Sequence, residues 1–404
     1  MTWIKILRQK TKKGDGRNWL ALLIFFGLPL VLLIGGLSLG VKFLPFYQKA
    51  KNIILEPAQI IEISEPFSGN LYFNDELGID NFSSLIIANL DTAKYKIELA
   101  MYSMDSATIA DALYRAADRG VLINLIFSDK HQAIINKLFK NPHQNITINF
   151  RSSDLGYMHH KFLLIDRQTT APKLFFSSYN FTNIQGKYDP SFILETSRPE
   201  LVDIFGQEFG RLAAGQHGEA KKATTSNPFA ALIKYPEGFL EIWFSPGTAQ
   251  KNVKRRMLNL IKDSKSNIKV MIWTLTDKEI AAALVAAAQK LPVNIITDDS
   301  NWSVDNSVFP ILAAQKERQN LNNLEIITDS KNSEGINKLY TGNSLNSFLH
   351  HHLMIIDDQT VIFGTNNWSY NGFSKNNESI MISNIASLTS AFEQSYSTNY
   401  NKNK

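Results

Sequence analysis

Residues Met158–Asp166 read MHHKFLLID, and residues Leu349–Asp357 read LHHHLMIID. A histidine-rich motif that returns after 191 residues confines the chain to folds built from two copies of one unit. The rest of each unit can be read around it. Lys96–Asp129 ("KIELAMYSMDSATIADALYRAADRGVLINLIFSD") answers Asn267–Asp299 ("NIKVMIWTLTDKEIAAALVAAAQKLPVNIITDD"). Each is a β-rich run, a polar cap, an Ala-rich amphipathic helix and a second apolar run, which predicts a βαβ unit with parallel strands under helices. A further strand ending in a polar turn follows each histidine motif, "KLFFSSYNFTN" (Lys173–Asn183) and "VIFGTNNWSYNG" (Val361–Gly372). Ile97 and Ile268 are 171 residues apart, so the second copy carries about twenty extra residues before its histidines. The Asn- and Ser-rich region Asn301–Ser347 is their expected place, either as a lid near a site or as a surface insertion.

Side chains two apart on a strand share a face. His159 therefore faces with Lys161, and His350 with His352; Ser178 faces with Asn180, and Thr365 with Asn367. His160 and His351 point the other way and read as structural. An H-x-H pair is a zinc-ligand pattern, but a lysine replaces one ligand in the first copy and no carboxylate-rich cluster completes a site. No metal and no cofactor is expected. With no cysteine in the chain, disulfides and thiolate metal sites are excluded. Duplicated units tend to pack about a pseudo-twofold axis, which would bring the two histidine strands into one cleft. Two opposed imidazoles suit phosphodiester chemistry: one attacks phosphorus, the other protonates the leaving oxygen and then activates water or an alcohol. Lysine, asparagine and hydroxyl donors would hold the non-bridging oxygens.

H-x-K-x4-D followed by G-S-x-N is the signature of the phospholipase D superfamily, and the chain resembles a two-copy member of it. His159-x-Lys161-x4-Asp166 matches fully, with Ser177-Ser178-Tyr179-Asn180 as the second part; His350-x-His352-x4-Asp357 with Gly364-Thr365-Asn366-Asn367 departs only at the lysine. The resemblance covers roughly residues 65–390. It implies two tandem α-β-α sandwich domains of α/β class, related by pseudo-twofold symmetry, with the site at their interface and a covalent phosphohistidine. It implies His159 as nucleophile and His350 as acid, although the residues alone allow the reverse. Asp166 and Asp357 enter as phosphate-binding or supporting groups, beside Ser178 and Thr365. An acidic residue about eleven positions past the asparagine often orients an imidazole in the family; Glu378 stands there in the second copy, whereas the first has Pro190 beside Asp189.

At neutral pH lysine is charged and an unperturbed histidine mostly neutral. The change at His352 therefore predicts either an acid-shifted optimum or a decayed second motif. Composition narrows the partners. Residues 1–17 hold six basic residues and one acidic residue, which accounts for the whole net charge of +5. The remainder is neutral, so the charge is no evidence for nucleic-acid binding.

Trp19–Val41 is a run of 23 residues without a charge, long enough to span a bilayer core of about 30 Å. It predicts a single-pass signal anchor with a cytoplasmic N-terminus and catalytic domains outside the cell membrane (periplasmic in a bacterium); a long cleaved signal and a buried soluble helix are the alternatives. The expected organisation is a basic tail (1–17), the anchor (18–41), a juxtamembrane linker (42–62), a first domain (63–214), a linker (215–236) and a second domain (237–395). As a pseudo-dimer within one chain the protein is expected to be a monomer. The expected partner is membrane phospholipid, cut to phosphatidate and a head group or transferred to an alcohol. The alternatives are a membrane-anchored nuclease acting on single-stranded nucleic acid, since Gly364–Ser379 resembles the nuclease-like branch, and a non-catalytic scaffold. Asn180-Phe-Thr and Asn367-Trp-Ser also read as glycosylation sequons, a match attributed to chance because both asparagines belong to the motif.

Overall fold

A computed structural model describes residues 56–75, 79–218, 227–248, 252–302, 305–329 and 349–404. The predicted basic tail and anchor, and residues 303–304 and 330–347 of the predicted insertion, lie outside the described residues. Among the described residues no helix is long and apolar enough to cross a membrane.

The chain enters through a short strand, β1 (Ile60–Glu62), and the first repeat then contributes β2 (Asn70–Phe73), β3 (Lys96–Met101), β4 (Leu122–Ser128), β5 (Ile146–Arg151), β6 (Lys161–Ile165), β7 (Lys173–Ser177) and β8 (Phe192–Thr196). The second contributes β9 (Phe229–Tyr235), β10 (Gly238–Phe244), β11 (Ile268–Ile272), β12 (Val293–Thr297), β13 (Leu324–Thr328), β14 (His352–Ile356), β15 (Thr360–Gly364) and β16 (Ser379–Ser383). The first sheet runs β2-β8-β7-β6-β3-β4-β5, and the second β1-β9-β10-β16-β15-β14-β11-β12-β13. From β10 onward the second order repeats the first strand for strand.

The βαβ units form as their patterns dictate. Ala107–Asp118 is capped by the Ser106 hydroxyl, which accepts from the Ile109 amide, and buries Ile109, Leu113 and Ala116, spaced for one helical face. Lys278–Ala288 is capped by Asp277, which accepts from the Glu279 and Ile280 amides, and buries Ile280, Leu284 and Ala287. β3 pairs parallel with β4, and β11 with β12. β6 runs antiparallel to β3 with Lys161 opposite Met101, and β14 antiparallel to β11 with His352 opposite Ile272.

A third core lies between the two sheets. It unites Phe176, Phe192 and Phe205 of the first half with Phe244, Phe363 and Phe392 of the second, all buried. Phe192 meets Phe363 edge-on at 5.5 Å and Phe392 at 5.3 Å. Each such ring contributes about 1.5–3 kcal/mol by leaving water, so the halves hold together as one folding unit.

Each half also lends a piece to the other. Residues 60–62 fall in the segment read as a juxtamembrane linker, yet β1 pairs parallel with β9 of the second sheet, Ile60 opposite Leu232. β9 itself lies inside the segment read as the inter-domain linker, because its alternation of buried and half-exposed residues suits a sheet covered on one side. The helix Ala386–Asn403 of the second half places Asn399 Nδ2 3.0 Å from Asp75 Oδ1 of the first.

Candidate active site

The ladder brings the motif residues to matching ends of the two sheets. β6 and β14 begin at Lys161 and His352, so His159 and His350 stand just before their strands rather than within them. The residues Ser178, Asn180, Thr365 and Asn367 likewise lie just past β7 and β15. The sheet ends here because the backbone bonds to the opposite repeat instead. The His159 amide donates to the Asn377 carbonyl (2.9 Å) and the His350 amide to the Pro190 carbonyl (3.0 Å). The two exchanges are symmetric, and they draw both motifs into the interface.

The site is almost closed to water: His159 is 5% exposed, Lys161 0%, His350 3% and His352 2%. His159 Nδ1 lies 2.7 Å from Glu378 Oε2 of the other repeat. Thr365 Oγ1 donates to the same carboxyl oxygen (2.7 Å), and Asn376 Nδ2 to the other (3.3 Å). Lys161 Nζ donates to the His159 carbonyl (3.0 Å) and sits 3.3 Å from its Nε2. Burial pushes Glu378 up to about 8 against the pull of Lys161, Thr365 and Asn376. Burial, then Lys161, holds His159 well below its ordinary value. The His159–Glu378 contact is therefore a neutral hydrogen bond near pH 7. Burial also lowers Lys161 to about 7, partly offset by Glu378, so the site's lysine titrates near neutrality.

The second motif has no such partner. His350 Nδ1 is buried without a hydrogen bond. Its ring stacks on Trp273 (centroids 5.8 Å apart), and it is hydrogen-bonded to the Ser178 backbone. The His352 ring lies 5.1 Å from that of His350, with both nitrogens buried and unpartnered. Burial, then His350 and Lys161, depresses His352 well below its ordinary value. The strand register matches Glu378, one residue before β16, with Ser191, one residue before β8. Ser191 Oγ is buried without a partner. The acidic partner thus exists once, and it serves His159.

The other sequence-derived residues separate by role. Ser178 Oγ accepts from the Phe192 amide (3.1 Å) and Thr365 Oγ1 from the Ser379 amide (3.0 Å), which fixes the turns that carry Asn180 and Asn367. Asn180 Oδ1 and Asn367 Oδ1 are buried without partners. Asp166 and Asp357 lie at the far ends of their strands and are supporting groups only. Asp166 accepts from the amides of Lys94 (2.9 Å), Tyr95 (2.8 Å) and Lys96 (2.9 Å). Asp357 accepts from those of Lys265 (2.8 Å) and Ser266 (2.7 Å). Both have positive φ, 51° and 58°, at the turn that ends the strand. His160 and His351 point away, as expected: His160 reaches Ser379 (2.7 Å) and Glu208 (3.1 Å), and His351 reaches Asp75 (3.2 Å).

Sequence reasoning missed three neighbours. Tyr102 packs edge-on against His159 (4.6 Å) and against His131 (4.7 Å). Trp273 is its counterpart in the second repeat, one residue past β11 as Tyr102 is one past β3. Aligning the two βαβ units residue by residue would have exposed the pair.

A family model described as cardiolipin synthase, PLD-like domain, matches residues 86–213 and 257–399. The chain belongs to the phospholipase D superfamily. The two matched segments fall on the two repeats, one motif in each. Over 136 residues this superfamily member is 26% identical to the mitochondrial cardiolipin hydrolase of Danio rerio, covering 33% of the chain and 58% of that protein. Over 132 residues it is 30% identical to that of Mus musculus, covering 32% and 57%. The chain thus spans less than two thirds of the length of these relatives. The crystal structure of phosphatidylserine synthase from Haemophilus influenzae Rd KW20 has a TM-score of 0.59 at 15% identity, over 83% of this chain and 88% of that one. That likeness establishes a shared fold.

Proposed function

We propose that the protein is a phospholipid phosphodiesterase of the phospholipase D type that works through a covalent phosphohistidine and needs no metal. The observation that carries this is the His159–Glu378 contact at 2.7 Å across the repeat interface, beside His350 and Lys161. With Nδ1 engaged by Glu378, His159 Nε2 is the nitrogen left to attack. It forms a bond to phosphorus while the bond to the leaving oxygen breaks, and His350 gives that oxygen its proton. Lys161, Asn180 and Asn367 hold the non-bridging oxygens as charge builds. Water or an alcohol then gives a proton to His350, attacks phosphorus and breaks the P–N bond. Water yields phosphatidate; an alcohol yields a new phospholipid.

A lipid substrate is supported by the cardiolipin hydrolase and phosphatidylserine synthase relatives, and by a chain that outside its first 17 residues has no net positive charge to attract nucleic acid. The apolar run Trp19–Val41 would hold the domains beside the outer face of a cell membrane.

The test uses the full chain in detergent with a chelator, phospholipid vesicles and a single-stranded oligonucleotide in one tube, with His159→Ala as control. Phosphatidate, and a phosphorylated His159 after acid-free trapping, are expected only with the intact histidine. Oligonucleotide fragments would move the assignment to a nuclease. No product from either would make the second motif a decayed one.

A further inference from the structure

At the end of the first sheet remote from the histidines lies a cavity of about 720 Å³. It shares no residue with the catalytic cluster. Strand β6 separates the two places: it begins at Lys161, and Ile165 and Asp166 at its other end line the cavity, about 16 Å away by the rise of a strand.

Duplication supplies an internal comparison. Ile97 pairs with Ile165 and Ile268 with Ile356, so the ladder matches Lys94 with Lys265, Tyr95 with Ser266, Lys96 with Asn267 and Arg167 with Asp358. The β14–β15 turn is Asp357-Asp358-Gln359 alone, whereas the β6–β7 turn runs on from Asp166-Arg167-Gln168 through Thr169–Pro172. Three residues therefore suffice to close this hairpin. Of the four that the first repeat adds, Thr169, Thr170 and Ala171 form a wall of the cavity.

The charges differ as well. Lys94, Lys96, Arg167 and Lys173 line the cavity against one carboxylate, Asp166, whose oxygens already accept three backbone amides. The second repeat keeps one lysine at the matched positions and gains Asp358. Behind the wall the buried Glu98 serves both Lys96 and Arg167 (2.8 Å each), while Glu195 serves Lys173 (3.2 Å). Lys94 is exposed and makes no ion pair among the described residues. Positive charge is left in surplus. Thr170 adds an exposed hydroxyl, and Tyr95, 63% exposed, an aromatic rim.

The volume falls in the range of small-molecule sites, about 300–1,000 Å³, and exceeds what an inorganic anion fills. Clustered ammonium groups with a hydroxyl donor suit a phosphate, which carries more charge than a carboxylate. We propose that this cavity is a second ligand site that binds a phosphate monoester. Lys94, Lys96 and Thr170 hold the phosphate, and Tyr95 and Ala171 face the organic part. A soluble ester and a lipid such as phosphatidate both offer this group, and the test separates them.

Binding is measured by titration calorimetry on the full chain in detergent, with glycerol 3-phosphate, dihexanoyl phosphatidate and, as a control without net charge, dihexanoyl phosphatidylcholine. At least one monoester should bind. Lys94→Gln should weaken it about tenfold, the loss of one charge-assisted contact. Deleting Thr169–Pro172, which leaves the turn length of the second repeat, should abolish it, and Lys265→Gln should leave it unchanged. Lys94→Gln alters an exposed, unpaired side chain, so it keeps the fold if the deletion does not. Binding of glycerol 3-phosphate supports a soluble ester, and binding of phosphatidate alone supports a lipid. No binding of either monoester, or equal binding of phosphatidylcholine, would overturn the proposal. An affinity that Lys94→Gln leaves unmoved would also overturn it, by placing the bound phosphate elsewhere.

Discussion

His159 and Glu378 lie 219 residues apart in the chain and belong to different repeats, yet their side chains meet at 2.7 Å. Neither repeat alone contains this histidine–carboxyl pair. It is brought together by the Phe-rich core between the sheets, which buries residues of both halves.

Glu378→Gln keeps the shape of the partner but replaces a carboxyl, neutral near pH 7 and able to exchange a proton with Nδ1, by an amide that cannot. The expected loss in single-turnover rate is about 10²–10⁴-fold, the range for a misdirected general acid–base group. Ser191→Ala, at the matched position of the other repeat, removes an oxygen that has no partner and should cost less than about one tenth of that effect. Equal losses in the two variants would refute the assignment of His159 as the oriented histidine.

Lys161 titrates at about 7 rather than at its ordinary 10.5. In the proposed reaction its ammonium binds the phosphate, so kcat/KM for lipid should decline as pH rises above about 7, through weaker binding more than slower chemistry. His352→Lys supplies a second cation and should move this alkaline limb upward. A profile that stays flat to about pH 9 in wild type, or does not move in the variant, would contradict it.

Stability should depend on pH with two opposing signs. Glu378 is raised from 4.5 to about 8, so the folded state holds a proton that the unfolded state has lost; this contribution is full below 4.5 and disappears as pH rises through about 8. Lys161 is lowered from 10.5 to about 7, so its contribution is full above 10.5 and disappears as pH falls through about 7. Glu378→Gln removes the first effect and leaves Lys161 to titrate without the offset from Glu378. The Tm of the variant should therefore gain on wild type steadily from about pH 5 to about pH 8 in a scanning calorimeter. A constant difference would show that Glu378 does not titrate in that window.

Asp166 accepts three backbone amides where β3 begins and touches no catalytic group. Asp166→Ala should destabilise the protein by about 2–4 kcal/mol in urea unfolding, since it strands those donors in a partly buried turn. Under conditions where the variant remains folded, its kcat should stay within about threefold of wild type. A large loss of kcat with unchanged stability would return Asp166 to the phosphate site.

Much of this site can be read in the chain. The repeat of M/L-H-H-K/H…D predicts duplication, and alternation along a strand places Lys161 with His159 and turns His160 and His351 away from them. The resemblance to the phospholipase D superfamily, applied about eleven positions past Asn367, points to Glu378 as an acid that would orient a histidine. The duplication and the opposed directions of neighbouring side chains are legible because they depend on local sequence, which the backbone expresses residue by residue.

Other features depend on contacts between residues far apart in sequence, and local patterns carry no record of those. Strand β1 crosses to the second sheet because β9 offers it an unpaired edge. Asp166 and Asp357 sit in the motif beside the catalytic residues, but a five-residue strand carries them to the opposite end of the sheet. The pairing of Glu378 with His159, rather than with the histidine of its own repeat, follows from how the two halves dock. The chain alone determined the fold of each repeat and the chemistry available to it. The packing of one repeat against the other decided which histidine meets a carboxyl group and which does not, because only the buried interface brings His159 and Glu378 within hydrogen-bond reach.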